Sequence, residues 1–151
     1  MQGLKPKSDL GVFVLAVTLA LVGGVFVSGI MMTSRTLPSS GSIKAINVGV
    51  YWDFDCTQNV TVIDWGIPGP GDVVYRTVFV KNSGNSGLAL NMSCSGWNPV
   101  LAEGFLTLSW DVEGVVVQGG EVVQAVFALD VSEAVTGVTD FSFNIVLEGI
   151  G

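Results

Sequence analysis

The sequence predicts an all-β protein in which a single antiparallel β-sandwich follows an N-terminal apolar segment. Three observations predict this class. Apolar and polar residues alternate with period two through most of the chain, and clusters of Gly, Pro, Asn and Asp separate the alternating runs. Beyond the N-terminal segment, the only helical pattern is a turn near Pro99 to Glu103. Short strands at this spacing are typical of immunoglobulin-like and jelly-roll sandwiches.

The composition restricts both the location and the function. Of 151 residues, 49% are hydrophobic and 13% are charged, which is too apolar for an ordinary soluble domain of this length. The net charge of −7 offers no basic surface for nucleic acid, so we expect no nucleic-acid partner. The chain has no histidine, which removes the commonest general base and zinc ligand.

The first element is the apolar segment 10–32, which has 23 consecutive uncharged residues. At ~1.5 Å per residue this length is enough to cross a hydrocarbon core of ~30 Å, so the lipid bilayer is the expected partner of the segment. Residues 1–9 are then cytoplasmic. Two interpretations stay open: a retained transmembrane signal anchor, or a signal peptide cleaved at a small-residue site such as Val27-Ser28-Gly29.

The second and third elements are a tether and a domain. Residues 33–42 are small and polar and contain Pro38 and Gly41, which predicts a flexible tether. Residues 43–151 are enough for one extracellular domain with its own core. Eight strands are predicted within it, at 46–52, 60–65, 73–80, 88–92, 105–110, 115–117, 122–131 and 141–147.

The chain has two cysteines, Cys56 and Cys94, both in the predicted exported part. In an oxidising compartment we expect them to form a disulfide. Closing this loop of 38 residues would stabilise the domain by roughly 4 kcal/mol in the chain-entropy model. The alternative is two free thiols.

Two glycosylation sequons lie in the same part of the chain, Asn59-Val60-Thr61 and Asn91-Met92-Ser93. We expect Asn91 to point outward, because Leu90 and Met92 alternate with it on the apolar face of their strand. Together with the cysteines, the sequons predict that this part of the chain lies outside the cytosol.

No motif in the sequence predicts catalysis, a cofactor or a metal site. There is no nucleophile elbow and no phosphate-binding glycine loop, and triads or zinc sites that need histidine are impossible. Asp53 and Asp55 offer two oxygens, whereas calcium needs six to eight ligands, so we interpret them as loop carboxylates. The tryptophans Trp52, Trp65, Trp97 and Trp110 are either core residues or platforms for sugar rings.

Part of the domain resembles a known family. Trp65-Gly66, Pro70-Gly71-Asp72, a strand ending in Val80-Lys81-Asn82, and then Gly84-Asn85 are similar to the Pro-Gly-Asp, strand, Val-Lys-Asn-x-Gly element of camelysin and TasA-like biofilm-matrix proteins. The later run Leu108-Ser109-Trp110-Asp111 resembles uncharacterised archaeal surface proteins. The resemblance implies a secreted subunit that polymerises by donating its N-terminal strand, here the segment 43–52, to the next copy.

These features predict a non-enzymatic, exported structural protein of the cell surface. It is either a filament or matrix subunit that self-associates by strand donation, or a sandwich tethered to the membrane. The alternatives are a carbohydrate- or surface-layer-binding module, which the tryptophans and acidic loops favour, and an accessory subunit of a membrane complex.

Overall fold

The computed structural model describes residues 39–151, and these form nine β-strands and one short 3₁₀ helix. The strands are β1 (Ser39–Ile46), β2 (Gly49–Tyr51), β3 (Val62–Gly66), β4 (Val73–Lys81), β5 (Leu88–Asn98), β6 (Leu106–Trp110), β7 (Val116–Val117), β8 (Val122–Val131) and β9 (Ser142–Ile150). The 3₁₀ helix, Val100–Gly104, lies between β5 and β6, where the sequence predicts a helical turn. The predicted all-β class is confirmed.

The predictions for the N-terminal segment concern residues that the structure does not describe. The predicted cytoplasmic residues 1–9 and the predicted membrane segment 10–32 lie outside the described residues. Among residues 39–151, no helix is long and apolar enough to cross a membrane.

The strands form two sheets. One sheet has five strands in the order β3-β1-β9-β5-β7, and the other has four in the order β2-β4-β8-β6. All pairs are antiparallel except one, because β1 runs parallel to β9 from Ser40 opposite Ser142 to Ile46 opposite Glu148. The prediction of a wholly antiparallel sandwich is therefore wrong at this pair. The first strand lies between β3 and β9, antiparallel to β3 and in the same direction as the last strand.

The core lies between the two sheets and takes side chains from both. The predicted alternation in the last strand is confirmed: Phe143, Ile145 and Leu147 are buried, and Asn144 is exposed. Because a strand turns successive side chains to opposite faces, this pattern fixes which face of β9 meets the core. The largest fully buried apolar side chains are Trp65, Phe127, Ile63, Leu90, Leu129, Ile145 and Leu147.

The first strand begins earlier than the sequence predicts. Ser39–Ser42, the last four residues of the predicted tether, belong to β1 and pair with β3 and β9. Gly41 is buried, and a Cβ atom there would lie 3.0 Å from Trp65 Nε1 and 3.1 Å from Ile145 Cδ1. Glycine at position 41 thus leaves room for the indole of Trp65, although the sequence predicts it to be part of a linker.

The loop after β4 is organised by one buried side chain. Asn82 is fully buried, and its Nδ2 donates to the carbonyl oxygens of Ser86 at 2.6 Å and Val117 at 2.9 Å. Its Oδ1 accepts a hydrogen bond from the amide of Gly84 at 2.9 Å. The predicted turn residue therefore joins the β4–β5 loop to β7.

Candidate functional site

The predicted disulfide is not present in the structure, where Cys56 and Cys94 are both free thiols. Cys56 lies in the loop that follows β2, an edge strand of the four-stranded sheet, and its thiol donates to the carbonyl oxygen of Phe54 at 3.4 Å. Cys94 lies in β5 of the other sheet and packs against the core. Cys56 thus lies in a loop beside the four-stranded sheet and Cys94 within the five-stranded sheet, and no bond joins them.

Burial makes Cys94 a weak nucleophile. Desolvation raises the pKa of its thiol from 9.0 to about 11, and the thiolate is the form that reacts. In the C56S variant we expect alkylation of native Cys94 to stay slow at pH 8 and to rise about tenfold per pH unit toward pH 11. In 8 M urea the same thiol should react at the rate of an ordinary cysteine.

The pKa of Cys94 also links stability to pH. Because the folded protein holds the proton more tightly, this contribution to stability is complete below pH 9 and is lost as the pH rises through about 11. The C94A variant should lack this alkaline component. Rapid alkylation of native Cys94 at pH 8, or protection that disappears on adding a reductant, would contradict this account.

The two sequons lie in different environments. Asn59 is exposed and forms an isolated antiparallel bridge with Tyr51. Asn91 lies opposite Glu148 within the five-stranded sheet and is half-buried. Its neighbour Met92 pairs with buried Leu147 and packs on the core, so Asn91 faces outward, as predicted.

The carboxylate of Asp53 closes the loop after β2. It accepts hydrogen bonds from the Thr57 hydroxyl at 2.7 Å and from the amides of Gln58 and Thr57 at 2.8 and 3.1 Å. These bonds hold the pKa of Asp53 below its usual range, and the bond from the Thr57 hydroxyl has the largest effect. The interpretation of Asp53 as a loop carboxylate is consistent with this geometry. Within residues 39–151, no group of three or more acidic or cysteine side chains could hold a metal ion.

Three of the four tryptophans pack into the protein. Trp65 is 1% exposed, Trp110 stacks on Phe127 with ring centroids 5.8 Å apart, and Trp97 stacks on Phe143 at 4.2 Å. Trp52 is 40% exposed. Of the four tryptophans, Trp52 is therefore the one whose ring is exposed enough to serve as a platform for a sugar ring.

A partly exposed aromatic surface lies on the outer face of β2 and β4, and we call its residues, half-buried Tyr51 and Phe79 and exposed Phe54, the aromatic row. Tyr51 pairs with Phe79 across β2 and β4, and Phe54 meets Phe79 edge to face with centroids 6.0 Å apart. Phe54 is 64% exposed. Exposed aromatic side chains in a cluster commonly mark a surface that contacts something else.

One enclosed cleft lies at the end of the sandwich where β1 begins. Its volume is about 150 Å³, and its described lining carries no titratable side chain. The lining includes Ser39, Ile67, Leu106, Val131 and Phe141. General acid–base catalysis needs a titratable group within hydrogen-bonding reach of the substrate, and this cleft offers none.

Comparison with known proteins adds no relative. No family model matches the chain, and no curated protein matches it. What the protein does has to follow from its own residues.

Two features of the structure were not predicted from the sequence. The aromatic row depends on the cross-strand register of β2 and β4, which residue patterns do not specify, although the alternation of Tyr75, Thr77 and Phe79 marks the outward face of β4. The burial of Asn82 was also missed. The sequence feature that could have indicated it is an asparagine directly after a strand, with a glycine two residues later.

Proposed function

We propose that this chain is a non-enzymatic, exported structural protein of the cell surface. Its sandwich, of immunoglobulin-like or jelly-roll type, is either held at the membrane by residues 10–32 or released when that segment is cleaved. Copies join into a filament or matrix when β1 of one copy occupies the place of β1 in the next. The resemblance to camelysin and TasA-like matrix proteins supports this function.

The observation that carries the proposal is the position of β1. It begins within the predicted tether and precedes the other described strands, yet it lies inside the five-stranded sheet between β3 and β9. Only Asn47 and Val48 link it to β2. A strand joined to the rest of its domain by one short connection can exchange between copies, because the neighbour's strand restores the same hydrogen bonds and fills the same groove.

The side chains of β1 suit exchange between copies. Toward the core, β1 contributes buried Gly41 and partly buried Ile43. The larger core residues belong to other strands, so the sandwich keeps most of its buried apolar surface while β1 is replaced. On its outer side β1 carries Ser40, Ser42 and Lys44, and the two that the structure shows as exposed are Ser42 and Lys44.

The absence of enzymatic function is part of the proposal. It is supported by the lack of histidine in the sequence, by a cleft whose lining carries no charged side chain, and by the use of Asp53 in closing a loop. Each of these removes a group that could accept or donate a proton near a substrate.

The location is tested by fractionating cells of the native host and measuring the intact mass of the protein from the envelope. A full-length mass supports a membrane anchor, and a mass lacking about 30 residues, the expected length of a cleaved signal segment, supports a released subunit. Recovery of the full chain as a soluble cytosolic monomer would overturn both forms of the proposal.

A further inference from the structure

The aromatic row and the first sequon lie on the same face of the four-stranded sheet. Asn59 and Tyr51 form a bridge flanked by two hydrogen bonds, from the Trp52 amide to the Gln58 carbonyl and from the Val60 amide to the Val50 carbonyl, at 2.8 and 2.9 Å. This pattern identifies a non-hydrogen-bonded antiparallel pair, in which the two side chains share a face and approach most closely.

The row continues across the sheet from this pair. Tyr51 lies opposite Phe79 on β4, so Asn59, Tyr51 and Phe79 are successive neighbours on one face. Phe54 stands edge-on to Phe79 at 6.0 Å and is 64% exposed. The asparagine thus lies at the end of a short aromatic platform.

The loop between Tyr51 and Asn59 is held in place by its own hydrogen bonds. Asp53 accepts three of them from Thr57 and Gln58, at 2.7 to 3.1 Å. The platform is therefore formed before any ligand reaches it, and binding on it costs little ordering entropy.

We propose that Asn59 carries an N-linked glycan whose first sugars pack on the aromatic row. The inference rests on the proposed function, because export brings the sequon to a glycosylating enzyme. In that reaction the Asn59 amide nitrogen bonds to the anomeric carbon of a lipid-phosphate-linked oligosaccharide. The anomeric C–O bond breaks, the lipid phosphate leaves, and the amide loses one proton.

The physical basis is the fit between sugar and aromatic surfaces. The C–H groups on one face of a pyranose ring are apolar and weakly positive, and an aromatic face is negative, so the two attract while apolar surface is removed from water. A glycan on Asn59 covers side chains that are otherwise exposed to solvent. The aromatic row is then covered by the protein's own glycan, with no need for a protein partner.

The second sequon offers no such platform. Asn91 is half-buried within the five-stranded sheet, and its neighbours on that face are Ala89, Ser93 and Glu148, with Ile150 and Val146 opposite the first two. None of these side chains is aromatic, so a glycan there would have no ring to stack on. We therefore expect Asn59 to be the modified site whose glycan stabilises the fold.

The experiment uses the full chain purified from its native host in six forms: wild type, Thr61→Ala, Tyr51→Ala, the double variant, and the controls Thr61→Ser and Ser93→Ala. Thr61→Ala removes the sequon and keeps Asn59, and Thr61→Ser is the matched control that keeps the sequon. Peptide mass spectrometry reads the occupancy of Asn59 and Asn91, and thermal unfolding reads the Tm.

We expect Thr61→Ala to remove the glycan and lower the Tm by about 4 °C, a shift typical of ~1 kcal/mol in a domain of this size. In the Tyr51→Ala background the same change should lower the Tm by less than half as much. Thr61→Ser should leave both readouts unchanged. Ser93→Ala, which removes the other sequon, should leave the Tm within about 1 °C.

Several results would overturn the inference, and they are distinguishable from failure of the proposed function. An exported protein with unmodified Asn59, or a glycan whose removal costs the same Tm with and without Tyr51, overturns the glycan platform alone. Binding of added oligosaccharide to unmodified protein, lost in Tyr51→Ala, would make the row a site for foreign carbohydrate. A cytosolic, unmodified chain would instead count against the proposed function itself.

Discussion

Replacing Asn82 with alanine is expected to lower the free energy of unfolding by about 2–3 kcal/mol. The side chain is fully buried and makes three hydrogen bonds, to the carbonyls of Ser86 and Val117 and from the amide of Gly84. Alanine leaves the buried Val117 carbonyl unsatisfied, which costs about 1–3 kcal/mol. Gly84 and Ser86 are exposed, so water can replace the asparagine there, and the small cavity left by the side chain adds to the cost. The loss is read from the midpoint of urea unfolding.

The matched control is Asn85→Ala, in the same loop. Asn85 is exposed, and the one hydrogen bond of its side chain, from the Ser86 hydroxyl, is long at 3.5 Å. We expect this variant to lie within about 0.5 kcal/mol of the wild type. Equal effects of the two alanines would contradict the assignment of Asn82 as the residue that joins the β4–β5 loop to β7.

Phe127→Ala is expected to cost about 3–5 kcal/mol, the usual range for removing a buried aromatic ring. Phe127 is fully buried in the middle of β8 and stacks on Trp110 with centroids 5.8 Å apart. Its removal leaves a cavity between the sheets, and it removes the aromatic contact, worth about 0.5–1.5 kcal/mol of that total. Urea unfolding monitored by tryptophan fluorescence measures the loss.

The neighbouring residue supplies the control for this prediction. Val126 is next to Phe127 in β8 but faces away from the core and is only partly buried. Val126→Ala should cost less than about 1.5 kcal/mol, because far less apolar surface returns to water. A cost at Val126 equal to that at Phe127 would contradict the orientation of β8.

Period-two patterning predicted the parts of the fold that depend on local sequence. It places the inward face of β9 at Phe143, Ile145 and Leu147, as the structure does. It missed the start of β1, since serine and glycine at 39–42 carry no apolar signal. Their fit depends on Trp65, which lies more than 20 residues later in the chain and meets Gly41 only in the folded sheet.

Pairings between distant residues were the least predictable features. Cys56 and Cys94 were predicted to form a disulfide because both lie in the predicted exported part, but the structure places Cys56 in the loop after β2 and Cys94 in β5, both as free thiols. The parallel pair of β1 and β9 and the row from Asn59 to Phe79 likewise depend on strand order and register. Composition and alternation contain information about which face of a strand is buried, and little about which strand lies next to it.

The claim that copies join by exchanging β1 is tested most directly by a cross-link between β1 and β3, which shows whether the β1 strand in a sheet comes from the same copy or from another. Ser42 and Val62 are both exposed and lie opposite each other on β1 and β3. The Ile43 amide donates to the Thr61 carbonyl at 2.8 Å, which makes them a non-hydrogen-bonded pair, and the Cα spacing of such pairs suits a disulfide. The variant carries Ser42→Cys and Val62→Cys, with Cys56→Ser and Cys94→Ala to remove other thiols.

This variant is expressed in the native host, and the cell-surface fraction is oxidised and separated on a non-reducing denaturing gel. Strand exchange between copies predicts a ladder of covalent multimers that collapses to one band on reduction. The control carries Ser42→Cys without Val62→Cys, also with Cys56→Ser and Cys94→Ala, because one cysteine per chain can produce nothing larger than a dimer. A single monomer band with an internal disulfide between residues 42 and 62 would contradict the claim that copies join through β1.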